Sequence, residues 1–266
     1  MKHTPKILLL ILIGLFLMSC SKQAESTENT QRDEGSEAVM EEMEEPMISG
    51  ACGVSYFPIL PDAIWTYRLY DETGTFIESR IWYEEITETS FVWKQEIDGD
   101  PPITSQAAWT CSDEGLISTD MASTNLPMVM EAYGYDYEYE VETLEFSGIT
   151  FPANDRWVVG TEWTGNWKVQ GDIYVEDVGM TNANIDVTMN NTIAAEESVS
   201  VPAGTYENAL RVDSVMLMDI VISYQDMTLP SVKAEYNMSS WYVQGVGMVK
   251  QASEDAGMLM ELGSME

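Results

Sequence analysis

The chain has 266 residues, with 12 Lys and Arg against 45 Asp and Glu and one histidine, for a formal net charge of −33. Such an acid surplus excludes nucleic acid as a partner, because phosphate binding needs clustered bases, and it leaves membrane attachment to apolar or covalent means. The lone histidine, His3, lies in the leader described next, so the mature chain holds no material for Ser-His-Asp catalysis, His-ligated zinc or a histidine pH switch.

Residues 1–19 read as a lipoprotein signal peptide. Lys2 and Lys6 precede an apolar run from Ile7 to Met18, and Leu17-Met18-Ser19-Cys20 follows. A spanning helix needs about 20 apolar residues, so the run is a secretory h-region. The Leu-x-Ser-Cys sequence resembles a bacterial lipobox. That resemblance implies a diacylglycerol on the thiol of Cys20 and an N-linked acyl chain of the palmitate kind, which together anchor stably. It places the protein outside the cytoplasm in a bacterial cell envelope, lipid-anchored to a membrane. Ser21 supplies no Asp-type retention signal, which points to the outer membrane or cell surface. Residues 20–50 form the tether. Between Ser21 and Gly50 there are nine acids, two bases and no aromatic residue, a composition that cannot offset the entropy of ordering. Thirty flexible residues span roughly 30 Å, and like charges extend them further.

Residues 51–266 read as a single β domain. They contain all eight tryptophans, all thirteen tyrosines and five of six phenylalanines. Alternation with period two recurs almost throughout, as half-buried strands require. The first half predicts strands at Ala63–Tyr70, Thr75–Ile86, Ser90–Ile97, Gln106–Cys111, Leu116–Thr119 and Tyr133–Leu144. The second half predicts Thr161–Gln170, Ile173–Val178, Ala183–Ile193, Ser198–Val201, Ala209–Tyr224, Val232–Val243, Gly247–Ala252 and Met258–Leu262. Glycine-bearing turns are expected at Glu72-Thr73-Gly74, Asp98-Gly99-Asp100, Asp113-Glu114-Gly115 and Gln170-Gly171-Asp172. No long helical stripe occurs; one short helix is allowed near Asp120–Ala132, where Pro127 opposes a long one. The expected fold is mainly β, a large antiparallel sheet with at most one or two short helices. Phe57-Pro58 and Phe151-Pro152 each lead into an aromatic-rich strand, a weak hint of duplication. Cys52 and Cys111 are the two cysteines left after lipidation, and an even pair in an exported body is expected to form a disulfide.

Three motifs follow one another along the body: Tyr56-Phe57-Pro58-Ile59 with Trp65-Thr66-Tyr67, then Val201-Pro202-Ala203-Gly204-Thr205-Tyr206, then Trp241-Tyr242-Val243-Gln244-Gly245-Val246-Gly247-Met248-Val249-Lys250. Together they resemble a family of bacterial exported lipoproteins sharing Y-F-P-L-x-x-G-x-x-W-x-Y, V-P-A-G-T-F and W-Y-x-x-G-V-G-x-V-K. That family is in turn similar to the lipoprotein-sorting carriers LolA and LolB. The resemblance implies a curved, half-open sheet with an apolar concave face, and it carries over no catalytic residue. Asp62 stands where the family has glycine, so the first turn is expected to differ. In plain physical terms the glycine-bearing segments are turns, and Trp241 is expected to anchor the core.

Other constellations favour bland readings. Tyr133, Tyr135, Tyr137 and Tyr139 alternate with Asp136, Glu138, Glu140 and Glu142, which sets four rings on one strand face and four carboxylates on the other. One strand alone cannot wrap a calcium ion, though a neighbouring strand or the Asp98-Gly99-Asp100 turn could complete a site; the favoured reading is a solvated acidic face, and no metal or cofactor is assigned. The pairs Met128/Met130, Met216/Met218 and Met258/Met260 have a copper-binding spacing, yet one strand face produces it equally. Thirty-six acids in the body make carboxylate pairs uninformative about glycoside hydrolysis. The expectation is therefore a non-catalytic binding body. Leu210, Val212, Met216, Met218 and Ile220 alternate on one strand, and Tyr236 and Met238 on another, as candidate linings of an apolar cavity. The occupant would be a lipophilic small molecule or the acyl chains of a lipoprotein. The alternatives are a structural surface lipoprotein and a carbohydrate-binding module.

Overall fold

The computed structural model describes residues 51–266 apart from 72, 121–138, 176–178, 225–226, 254 and 256. The leader, the lipobox with Cys20, the tether, the pair Met128/Met130 and most of the Tyr133–Glu142 ladder lie outside the described residues. Fourteen strands form one antiparallel sheet. In chain order they are β1 (Trp65–Tyr70), β2 (Phe76–Glu84), β3 (Ser90–Ile97), β4 (Ile103–Ser112), β5 (Gly115–Ser118), β6 (Tyr139–Gly148) and β7 (Phe151–Pro152). Then follow β8 (Glu162–Val175), β9 (Gly179–Val201), β10 (Gly204–Tyr224), β11 (Met227–Thr228), β12 (Val232–Val243), β13 (Gly247–Ser253) and β14 (Met258–Met265). The lateral order is β6-β8-β9-β10-β12-β13-β14-β1-β2-β3-β4-β5-β7, with β11 paired to β10. Among the described residues the one helical element is a 3₁₀ turn at Asn154–Arg156, and no helix is long and apolar enough to cross a membrane. The mainly-β expectation is met.

Several strands are longer than their patterns suggest. The turn expected at Gln170-Gly171-Asp172 is strand interior, because Gly171 pairs with Val141 on one side and Ala183 on the other. β8 and β9 each absorb two predicted strands, so β9 runs for 23 residues and β10 for 21. At about 3.4 Å per residue, β10 has a contour near 70 Å.

The sheet is strongly curled. β7 lies eight strands from β12 along the lateral order, a separation of about 38 Å in a flat sheet. Yet the rings of Phe151 in β7 and Tyr242 in β12 have centroids 5.6 Å apart. Among the described residues no ladder joins the outermost strands, but the chain itself does: two residues, Ile149 and Thr150, connect β6 to β7. The Ile149 amide donates to the Thr164 carbonyl at 3.2 Å, and the Thr150 amide to the Leu116 carbonyl at 2.8 Å. Indole groups clamp the same seam, Trp163 Nε1 donating to the Thr150 carbonyl and Trp167 Nε1 to the Ser118 carbonyl, both at 2.8 Å. Glycine is required here by close approach. A Cβ on Gly148 would lie 2.1 Å from the Thr164 oxygen, and one on Gly115 2.0 Å from the Phe151 oxygen.

Inside the closed end sits an aromatic core. Phe91 and Trp109 stack at 5.6 Å, Trp109 and Phe151 at 5.9 Å, and Phe57 lies 4.7 Å from Phe151. Cys52 and Cys111 are joined beside it, with Cα atoms 5.1 Å apart, and closing a loop of 59 residues stabilises by about 4 kcal/mol in the chain-entropy model. Inward positions also carry polar groups that satisfy one another: Gln95 Nε2 donates to Ser79 Oγ at 2.9 Å, and Ser214 Oγ to Asn191 Oδ1 at 2.7 Å.

Trp241 departs from expectation. Alternation turns Ser240 and Tyr242 inward, so Trp241 is half-buried on the polar side of β12. There its Nε1 donates to Glu197 Oε1 at 2.7 Å and Lys250 lies over its ring at 5.6 Å. Asp62 keeps the turn that glycine would make, at φ 64°.

Candidate functional site

The three motifs meet at the closed end and hold it shut. Trp65 Nε1 donates to the Val246 carbonyl and Tyr67 Oη to the Met248 carbonyl, each at 2.8 Å. The Gly245 amide donates to the Ser55 carbonyl at 2.7 Å, and the Ala203 amide to the Leu262 carbonyl at 3.0 Å. Burial raises the pKa of the Tyr67 phenol well above its ordinary value, with Tyr83, Tyr242 and Tyr206 adding smaller effects. Tyr242 is likewise pushed up by burial, against a hydrogen bond to Ser240 that lowers it. The motifs are thus the fastening of the fold.

Beyond the closed end β8, β9, β10 and β12 continue as a wing whose inner face is apolar. Register aligns the side chains in cross-strand rows. One row runs Trp167, Val187, Met218, Ala234; the next runs Val169, Ile185, Ile220, Val232; a third runs Met189, Met216, Tyr236. The first two rows grade from covered to half-open, and the third is half-buried throughout. Trp167, Val169, Ile185 and Val187 are buried, whereas Met216, Met218, Ile220, Tyr236 and Met238 are half-buried. Cover on the β8 side comes from β5, where the Ser118 carbonyl receives the Trp167 indole.

The structure therefore divides the seven residues that the sequence nominated. Leu210 and Val212 belong to the closed core at 3% and 2% exposure and offer no surface to a ligand. They sit too near the seam, where β10 is capped by Tyr242 and the aromatic cluster. Met216, Met218, Ile220, Tyr236 and Met238 come together on the wing. Sequence reasoning missed their β9 neighbours Met189, Ile185 and Val187, although the alternation of Ala183–Ile193 carries the same signal.

The opposite face of these strands carries charged and polar side chains together with Val215, Leu217 and Val221. Lys233 pairs with Asp219 at 3.8 Å and Lys168 with Glu145 at 2.9 Å, a contact that raises the Lys168 pKa. Arg211, Trp241, Lys250, Glu261, Arg68 and Glu78 fall in one register line across six strands. Exposed pairs of this kind add little stability, but they keep the two faces of the sheet distinct.

Two solved structures are similar in outline. One, from Bacteroides fragilis NCTC 9343, is described as an exported protein with a YmcC-like fold; it has TM-score 0.44 and 12% identity, with 80% of this chain and 99% of that one covered. The other, from Parabacteroides distasonis ATCC 8503, is described as a lipoprotein; it has TM-score 0.44 and 14% identity, with 81% and 99% covered. No curated protein matches the sequence. Residues 85–260, which include the wing and two of the three motifs, match the DUF3108-like family, and the chain belongs to that family.

Proposed function

We propose that this protein is an exported, lipid-anchored and non-catalytic carrier whose wing shelters an acyl chain, either of a lipophilic small molecule or of another lipoprotein. The address rests on Leu17–Cys20 and on the acidic segment between that motif and the body. The reading of the wing rests on one observation: an apolar surface continuous across four strands, buried on β8 and β9 and half-buried on β10 and β12. Methionine occupies the border of that surface at positions 189, 216 and 218, and its flexible thioether adapts to occupants of different shape. Such a surface is stabilised by anything that removes it from water, at about 25 cal/mol per Å². The resemblance of the three motifs to an exported-lipoprotein family, itself similar to the sorting carriers, supports the same reading.

The test is titration of the lipid-stripped protein with a fluorescent acyl-chain probe. Saturable binding at micromolar concentration is expected, and Met218→Arg should weaken it at least tenfold in a protein that remains folded, as its circular dichroism verifies. A folded, lipid-free protein that binds no acyl probe would leave the structural surface lipoprotein as the better account.

A further inference from the structure

We infer a second binding site, at the closed end and independent of the wing, that takes one or two rings of a neutral saccharide. A cleft of about 340 Å³ opens there, lined by Tyr56, Thr205, Tyr206, Glu207, Asn208 and Gln244, with Val243 as its one aliphatic residue. That volume is at the lower end of the range for small-molecule sites. Each of the three motifs contributes: Tyr56 precedes Phe57-Pro58, residues 205–208 follow the Pro202-Ala203-Gly204 hairpin, and Gln244 begins the turn after Trp241-Tyr242-Val243. The contacts that fasten the closed end explain the glycines and tryptophans of these motifs. They do not explain why a tyrosine, a threonine and two carboxamides border a common hollow.

The walls are held in place. Tyr56 stacks on Trp157 with centroids 4.7 Å apart and planes 15° from parallel. Trp157 is itself buried and donates its Nε1 to the Pro152 carbonyl at 3.0 Å. The adjoining backbone is fixed as well, since the Ser55 amide donates to Asn154 Oδ1 at 2.6 Å and the Gly245 amide to the Ser55 carbonyl. Thr205 Oγ1 shares a hydrogen bond with Ser200 Oγ at 2.9 Å. Tyr56 is thus a ring braced on one face before any ligand arrives, which spares a ligand the entropy of ordering it.

The chemistry of the lining selects the class. Asn208 and Gln244 each offer two donors and an acceptor, Thr205 one hydroxyl of either kind, and Glu207 two acceptors. Vicinal hydroxyls on a sugar ring satisfy such a mixed set, and the apolar C–H face of the same ring covers tyrosine. An acyl chain would leave those polar groups desolvated and unpaired. An anion would meet Glu207, and Glu196 stands close enough to Tyr56 to raise its phenol pKa in addition to the effect of burial. The whole body is net negative, with eight bases against thirty-six acids from residue 51 onward, so phosphates and uronates are repelled before they reach the cleft.

The experiment uses the full-length protein on an array of neutral, acidic and cationic oligosaccharides, followed by calorimetry with cellobiose, chitobiose, digalacturonate and spermidine. A neutral di- or trisaccharide should be retained, digalacturonate should not bind, spermidine taken up by the acidic surface should be indifferent to both substitutions, and Asn208→Ala and Gln244→Ala should each weaken saccharide retention at least fivefold. Both positions are exposed, so these variants keep the fold, which the melting temperature verifies. Acyl-probe binding at the wing should be untouched by either change. Failure to retain any neutral glycan, spermidine binding lost in both variants, or glycan binding indifferent to both substitutions would each overturn the assignment.

Discussion

The closed end and the wing are built from the same strands and differ in what fills them. At the closed end the inward positions are rings: Phe91, Trp109, Trp157, Trp163 and Tyr242 lie in one cluster with the Cys52–Cys111 bridge. Along the wing the inward positions beyond Trp167 are mostly aliphatic or methionine, Val169, Ile185, Val187, Ile220, Met216 and Met218 among them, with Tyr236 as a half-buried ring. Rings are large, have few rotamers and lock by edge and face, so they define one geometry. Aliphatic and methionine side chains fill space without specifying it. One sheet therefore carries a rigid end stitched across its curl and an adaptable apolar surface at the other. The difference shows how composition along a single strand, here β10, divides structural from binding duty without a domain boundary.

The sharpest way to break this comparison is a matched pair of truncations. Phe91→Ala removes a side chain 1% exposed from the middle of the ring cluster, and it should cost about 3–5 kcal/mol. Met218→Ala removes a half-buried side chain on the wing and should cost about 1 kcal/mol, since part of that surface already faces water. Urea unfolding of the two variants decides the matter. Equal losses would mean that the wing is packed as tightly as the closed end.

A second contrast lies in ionisation. Tyr67 and Tyr242 are 4% and 5% exposed and their phenol pKa values are raised from 10.0, chiefly by burial. A group whose folded pKa lies above its unfolded value contributes full stability below the unfolded pKa and loses it as pH rises beyond. The closed end should therefore hold to about pH 10 and then weaken by roughly 1.4 kcal/mol per pH unit for each phenol. Tyrosinate absorbance should rise together with unfolding, not ahead of it. Smooth titration of all tyrosines near pH 10 in a folded protein would show that the closed end admits water.

Much of this architecture was legible in the sequence because period-two alternation survives burial on one face. The even positions of 209–224 point inward as the pattern predicts, and the cysteine pair forms the bridge. The curl was harder to see. It depends on Phe151-Pro152, a two-residue strand too short to show any period, and on Gly148 and Gly115, which look like ordinary turn glycines until the neighbouring strand is placed against them. Local reading also failed at Gly171, where a turn residue is held extended by ladders on both sides. Ser79 and Gln95 break the apolar alternation inside the closed end, and only their partnership across strands makes sense of them. Along β10 and β12, alternation picked out the apolar, inward-facing positions. It could not tell Leu210 from Met218, because exposure along one face is set by where the sheet closes.

Asp62 offers the smallest and most local test of how firmly the closed end is held. It follows the buried Ile59 and Leu60, precedes the buried Trp65, and is itself exposed at φ 64°. The left-handed region strains any residue with a Cβ, though Asp tolerates it better than most. Glycine relieves that strain and gives back some of the gain through its larger unfolded-state entropy. Asp62→Gly should therefore raise stability by about 0.5 kcal/mol, whereas Asp62→Ala, which keeps the Cβ and loses the tolerance, should lower it by about 1 kcal/mol. Opposite signs from two small changes at one exposed position require a backbone held at positive φ. If both variants melt with the parent, the turn relaxes freely, and the entry to the closed end is as adaptable as the wing.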